Sequence, residues 1–128
     1  MRKEVEHWWM QSKDDLEKAE VLANNAKYDG AVFFCQQSVE KALKALFILN
    51  LAKSPGPTHS LIYLAKELNL PKEYFVLLQE LTPEFVTTRY PDVVGETPCK
   101  LYSKEKTAYY ITKSKELLKW IENQINKR

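Results

Sequence analysis

Four consecutive residues, Arg89-Tyr90-Pro91-Asp92, form the group with the densest chemical potential in this sequence. The arginine offers a planar fork of donors that matches a phosphate or a carboxylate. Tyr90 can stack on a ring or hydrogen-bond, Pro91 fixes the turn that presents both, and Asp92 can pair with Arg89 or cap the loop. The plainer alternative is that Arg89 and Asp92 staple this corner to the rest of the fold. His59 is the second candidate, placed just after a KSPGPT loop at a helix start. It reads either as a hydrogen-bonded packing histidine or as a general base, and a base needs a substrate hydroxyl or a nucleophile within reach. Lys41 and Lys44, on a long central helix, can add positive charge to a phosphate site formed with Arg89, Tyr90, Asp92 and His59.

Other chemistries find no support in the residue pattern. There is no Ser-His-Asp order, no Gly-rich phosphate loop and no close pair of carboxylates. Two cysteines without CxxC spacing and only two histidines argue against a metal site, and no cofactor is expected. A net charge of +2 demands neither nucleic acid nor a membrane. The segment from Ser103 to the C-terminus is the most basic part of the chain, but its lysines share no single stripe, as expected of a solvated helix face. No apolar run approaches the ~18 residues of a membrane span, and MRKEVEHWW is too charged for a signal peptide, so a cytoplasmic location is expected.

The elements that position these residues read as helices throughout. With 128 residues, 45% hydrophobic and only three glycines, the chain suits a single all-α domain over residues 1–128. A first helix is expected from Lys3 to Ala26, with Val5, Trp9, Ser12, Leu16, Ala19, Ala23 and Ala26 on its inner stripe. The central helix is expected over Asp29–Asn50, N-capped by Asp29, with Val32, Cys35, Val39, Ala42, Leu43 and Leu46 inward. Thr58 can cap a third helix, His59–Asn69, and Pro71 opens a short one with Phe75, Leu78 and Leu81 inward. Thr82-Pro83-Glu84 starts a further turn or two through Thr88, and Pro91–Tyr102 reads as an irregular loop. Ser103 caps the last helix, which buries Thr107, Tyr110, Ile111, Ser114, Leu118, Ile121 and Ile125. The architecture expected is an antiparallel up-and-down four-helix bundle with one or two extra short helices.

Some side chains resist this simple division. On the central helix Gln37, Glu40, Lys41 and Lys44 fall opposite the apolar stripe, whereas Gln36 intrudes into it and needs a partner on another helix or at the Arg89 corner. Asp15 sits at the edge of the first stripe, either as a surface carboxylate or facing a polar group across the bundle. Phe33, Phe34, Ile48, Tyr109 and Trp120 lie on outer faces and suggest a homodimer contact, unless the short helices cover Phe33 and Phe34.

Taken together, these segments resemble the HEPN family of small helical domains. Trp9 with Asp15-Leu16 and Ala19 looks like its first helix. Tyr28, Ala31, Phe34, Gln36-Gln37, Glu40-Lys41 and Lys44-Ala45 look like the second, and Thr58-His59 with Leu61 and Leu64 like the third. Arg89-Tyr90-Pro91-Asp92 is similar to the RYPD segment of stand-alone prokaryotic members. The resemblance implies a helical bundle that dimerises and is paired with a minimal nucleotidyltransferase in a toxin–antitoxin-like or regulatory unit. It also implies a relation to metal-independent ribonucleases whose site is an arginine followed, after four to six residues, by a histidine. Counted from Arg89 that histidine would fall at Val94, Gly95 or Glu96, so the motif is broken here. Two readings follow. One is a non-catalytic module that binds a nucleotide or RNA phosphate and partners a nucleotidyltransferase. The other is a ribonuclease toxin whose site is rebuilt from Arg89 and His59, which requires those two side chains to lie close together.

Overall fold

The computed structural model describes residues 2–127, excepting the side chains of Val93 and Val94; Met1 and Arg128, included in the single-domain expectation, lie outside the described residues. In chain order the helices are α1 (Lys3–Asn24), α2 (Tyr28–Leu51), α3 (Leu61–Leu68), α4 (Phe75–Leu81), α5 (Glu84–Thr87), α6 (Pro91–Val94) and α7 (Lys104–Asn126). Two short 3-10 turns, Lys72–Tyr74 and Pro98–Lys100, precede α4 and α7. The described residues contain no strand, and the architecture is the expected helical bundle. Its short pieces outnumber the one or two expected, because each proline-led segment between Pro71 and Lys100 closes a turn of its own.

The central position of α2 follows from its composition. Apolar or small residues recur around most of its circumference, and it packs against α1, α3, α4, α5 and α7. The α1–α2 turn is tight. Lys27 N–H donates to Leu22 O at 2.8 Å with Ala26 in a left-handed conformation at φ 58°, which closes the last turn of α1. A Cβ on Gly30 would lie 3.1 Å from the Leu22 Cδ1 methyl, so any larger residue here requires that side chain to shift by a few tenths of an ångström. Further along, Ser38 Oγ donates to the Ser12 carbonyl at 2.7 Å, one small residue against another where the backbones approach. Lys115 on α7 pairs with Glu20 on α1 at 2.9 Å, and the α7 C-terminal half lies against Trp9 and Lys13, so α7 runs antiparallel to α1.

Several local expectations need correction. Asp29 is not the N-cap of α2; the helix begins at Tyr28 after Lys27, and Asp29 occupies the first turn, where its charge still suits the positive helix end. Thr58 does not cap α3. Ser60 does, its Oγ accepting from Tyr63 N–H at 3.2 Å, while Thr58 Oγ1 accepts from Ser60 N–H and shapes the loop. Ser103 caps α7 as expected, accepting from Lys106 N–H at 3.0 Å. Pro91–Tyr102 is not irregular throughout, since it holds α6 and the second 3-10 turn. Ala26 is exposed rather than inward, and Ile48 is buried rather than outward, in a small cluster with Val5 and Ala45. Leu77 and Leu117 join the core as additions to the expected stripes.

The loop 52–60 decides the arrangement around the candidate site. It doubles back along α2, so that His59 reaches Glu40, eleven residues before the end of that helix and about 16 Å down its axis. This covers a face that helical periodicity assigns to solvent. Glu40, at 3% exposure, lies beneath His59, and Lys44, at 5%, lies against Glu40 and the Trp8 ring of α1, so neither shares a wet face with Gln37 and Lys41.

Candidate functional site

The site is assembled on the ring of Phe85, on α5. Its carbonyl accepts from Arg89 Nε at 3.0 Å, a contact made natural by the spacing of four residues across one helical turn. The Arg89 guanidinium carbon lies 4.6 Å from the Phe85 ring centre, 4.8 Å from that of Phe33 on α2 and 5.1 Å from that of Tyr90. Three aromatic rings thus surround a flat cation, an attraction between the positive charge and the ring faces that also restricts the arginine. The His59 imidazole stacks on Phe85 as well, with centroids 3.7 Å apart and planes 18° from parallel. The two separations from Phe85, 3.7 Å and 4.6 Å, add to 8.3 Å, the most that can lie between imidazole centre and guanidinium carbon.

Beneath His59 runs a buried polar ladder on α2. His59 Nδ1 is 2.9 Å from Glu40 Oε1, which also accepts from Gln36 Nε2 at 3.0 Å. Glu40 Oε2 accepts from Lys44 Nζ at 3.2 Å, and Gln36 Oε1 accepts from Gln37 Nε2 at 2.7 Å. Lys44 Nζ also stands 5.4 Å over the Trp8 ring. Gln36 is fully buried, as its place in the apolar arc predicts, but its partners are on its own helix and not on another helix or the Arg89 corner. The i, i+4 spacing of Gln36, Glu40 and Lys44 is what lets α2 satisfy these groups internally.

The remaining candidates stand apart from this cluster or at its rim. Lys41 is turned toward α1, where its ammonium pairs with Asp15, and Asp15 is buried and also accepts from Gln11 Nε2 at 3.0 Å. Asp15 therefore faces a polar group across the bundle. Tyr90 is exposed beside Arg89, and Asp92 is exposed in the first turn of α6 and forms no ion pair among the described residues. Arg89, Tyr90 and His59 all lie open to solvent, so the site is a ledge and not an enclosed cavity.

Phe85 was not legible as a site residue, and Phe33 reads in the sequence only as a misplaced outer aromatic. Their only signal is spacing, Phe85 lying one turn before Arg89. Phe33 and Phe34 are half-buried, and Phe33 meets Phe85 with ring centres 6.4 Å apart, so the short helix α5 does cover part of this surface.

Nearby, Glu84 is buried on α5, and its carboxylate accepts the Tyr102 hydroxyl. Burial pushes the Glu84 carboxyl above its ordinary range, against the opposing effects of the Tyr102 hydrogen bond and the Lys106 charge. Tyr102 is shifted upward too, by burial first and then by the Glu84 contact.

Comparison with known proteins agrees with this architecture. The sequence model described as "HEPN domain" matches residues 5–124. The chain is 30% identical over 129 aligned positions to "Putative toxin MJ1304" of Methanocaldococcus jannaschii, covering 91% of this chain and 85% of that protein. Among solved structures it is similar to ST0689, titled an archaeal HEPN homologue, with a TM-score of 0.82 and 30% identity over 97% of this chain and 99% of that one. It also shares its fold with TT1696 from Thermus thermophilus, at a TM-score of 0.85 and 22% identity, covering 95% and 98% of the two chains. The match of the family's sequence model across nearly all of the bundle, together with the identity to these relatives, establishes that the chain belongs to the HEPN domain family.

Proposed function

We propose that this HEPN protein is a toxin-type ribonuclease that cleaves RNA without a metal ion, with Arg89 holding the scissile phosphate and His59 accepting the proton of the ribose hydroxyl. The observation that carries the reading is the meeting of His59 and Arg89 on Phe85, at no more than 8.3 Å, although thirty positions separate them in sequence. RNA supplies its own nucleophile. When the 2′-hydroxyl loses its proton to His59, its oxygen bonds to phosphorus to give a 2′,3′-cyclic phosphate, the bond from phosphorus to the 5′-oxygen breaks with its electron pair going to that oxygen, and the 5′-oxygen takes a proton from water. The protein then needs a base and a group that stabilises the charge growing on the phosphate oxygens. Arg89 presents the terminal nitrogens of a guanidinium whose Nε is already fixed to the Phe85 carbonyl. His59 stands in for the histidine that is missing at Val94, Gly95 and Glu96.

The proposal includes a homodimer and a minimal nucleotidyltransferase as partner, the company that the family resemblance implies. A particle of twice 15.0 kDa in sedimentation supports the first, and co-purification with a nucleotidyltransferase encoded alongside supports the second. The direct test is cleavage of single-stranded RNA by purified protein in the presence of EDTA. Cleavage that is lost in both His59→Ala and Arg89→Ala is the expected result.

A second reading, the non-catalytic module that binds a nucleotide or RNA phosphate, is favoured by one observation. Arg89 is held among three rings, and the exposed Tyr90 face beside it makes a binding surface without any need for turnover. Wild-type protein that binds RNA through Arg89 and leaves it intact selects this reading over the first.

A further inference from the structure

We infer that Glu40, backed by Lys44, is a positioning residue that holds His59 in the tautomer with its proton on Nδ1 and its lone pair on Nε2. The catalytic meaning of this inference rests on the reading of His59 as proton acceptor; the tautomer itself does not.

The argument starts from which neighbours of Glu40 can accept a hydrogen bond. The carboxylate is 4% exposed, so water does not supply its partners. Lys44 Nζ, 3.2 Å from Oε2, has donors only. Gln36 donates its amide nitrogen to Oε1, because its own carbonyl is engaged by Gln37. Both of these contacts require Glu40 to be the acceptor. The third contact, His59 Nδ1 at 2.9 Å from Oε1, must then also be a donor, so the proton of the neutral ring is on Nδ1. The other nitrogen, Nε2, makes no hydrogen bond among the described residues, and the side chain is 47% exposed. Turning the ring over would break the contact of Nδ1 with Glu40 and leave that buried oxygen without this donor. A free imidazole has no such constraint. The ladder Gln37–Gln36–Glu40–Lys44 therefore fixes the lone pair on Nε2 of a half-exposed ring that shares Phe85 with Arg89. Lys44, at 5% exposure, is too deeply buried to meet a ligand, and holding Glu40 in the acceptor role gives its charge a place in the site.

The substitution that separates charge from shape is Glu40→Gln. Lys44 can only donate, so the new side-chain carbonyl must face Lys44 and the new amide nitrogen takes the place of Oε1; the Gln36 amide, which donated there, turns over together with that of Gln37, so that the Gln36 carbonyl accepts one proton of the new nitrogen and the other is left for His59. That nitrogen donates to Nδ1, and the imidazole proton moves to Nε2. The ring keeps its place while its lone pair points inward.

The experiment is nitrogen-15 NMR of histidine-labelled full-length protein under alkaline conditions where imidazoles are neutral, reading the two ring nitrogens of His59. His7, exposed on α1 and the only other histidine, serves as an internal reference. The expected result is an Nδ1–H tautomer at His59 in the wild type, changing to Nε2–H in Glu40→Gln. An Nε2–H tautomer in the wild type, or a mixture of the two forms, overturns the inference even if the variant fails to fold. A wild-type Nδ1–H signal that Glu40→Gln leaves unchanged overturns the role of Glu40. If RNA cleavage is present, Glu40→Gln lowers it by roughly a hundredfold or more, the share of a lost general base. If no RNA is cleaved but the tautomer switches, the positioning role stands and the ribonuclease reading falls. Cleavage by a wild type that carries Nε2–H has the reverse meaning.

Discussion

The imidazole of His59 lies face to face on the ring of Phe85, 3.7 Å between centres. This contact joins the end of the loop 52–60 to α5, a helix of four residues with little capacity to hold itself. The same ring also carries the Arg89 guanidinium, 4.6 Å from its centre. Phe85→Ala is therefore expected to affect stability and function together. The half-buried ring suggests a loss of about 1–3 kcal/mol in chemical denaturation, below the range for fully buried phenylalanine. RNA cleavage or binding should fall as far as in His59→Ala, whereas Phe85→Leu, which keeps apolar bulk but not the flat face, should restore most of the stability and little of the function. Full function in Phe85→Ala would show that the shared ring does not position the pair.

Arg89 offers both charge and a planar fork, and these can be separated. Arg89→Lys retains the charge and loses the stack on Phe33, Phe85 and Tyr90. An oligonucleotide titration should give affinity reduced by roughly three- to tenfold with the salt dependence nearly unchanged. Arg89→Ala should weaken binding further and lower the slope of log affinity against log salt by about one, as expected for one lost phosphate contact. Equal behaviour of lysine and arginine would leave the rings with no part in recognition.

Asp15 and Lys41 tie α1 to α2 from inside the bundle. Asp15 is 1% exposed at its side chain and Lys41 21%, so the pair is dry on one side only. Asp15→Asn keeps the shape and removes the counter-charge of Lys41. A loss of about 1–3 kcal/mol is expected, less than for a fully buried pair because Lys41 can recover water. Urea denaturation measures it, and an unchanged midpoint would mean that the pair contributes no net stability.

Glu84 makes the fold sensitive to pH in a stated direction. Its carboxyl is raised from the ordinary value of 4.5, with burial the leading cause, so the folded chain holds this proton more tightly than the unfolded chain. The stability it contributes is fully present below the unfolded value and is lost as pH rises through the folded one. Glu84→Gln removes this titration and keeps an acceptor for the Tyr102 hydroxyl. Relative to the wild type, the variant should gain stability across that window as pH is raised and show no gain in acid. Parallel stability curves for the two proteins over the same range would contradict the buried carboxyl as the cause.

Much of this molecule follows from local regularities in its sequence. The apolar spacing of α1, α2 and α7, the Ser103 cap and the proline-led starts of the short segments depend on residues three or four apart, and the structure shows them nearly as read. The position of Gln36 inside the apolar arc is of the same kind. Helix boundaries are less determined, since Thr58 and Ser60 can each cap α3 and the path of the loop selects Ser60. The site was only partly legible. Arg89, Tyr90 and His59 are recognisable by residue type, but their relation is not, because it depends on a loop that runs back along α2 and a ring on α5 that both groups share. His59 from the same loop and Trp8 from α1 meet Glu40 and Lys44, an apparent surface pair that is buried. A helical wheel records which residues share a face, whereas burial depends on what covers that face, and here the cover comes from a segment distant in sequence.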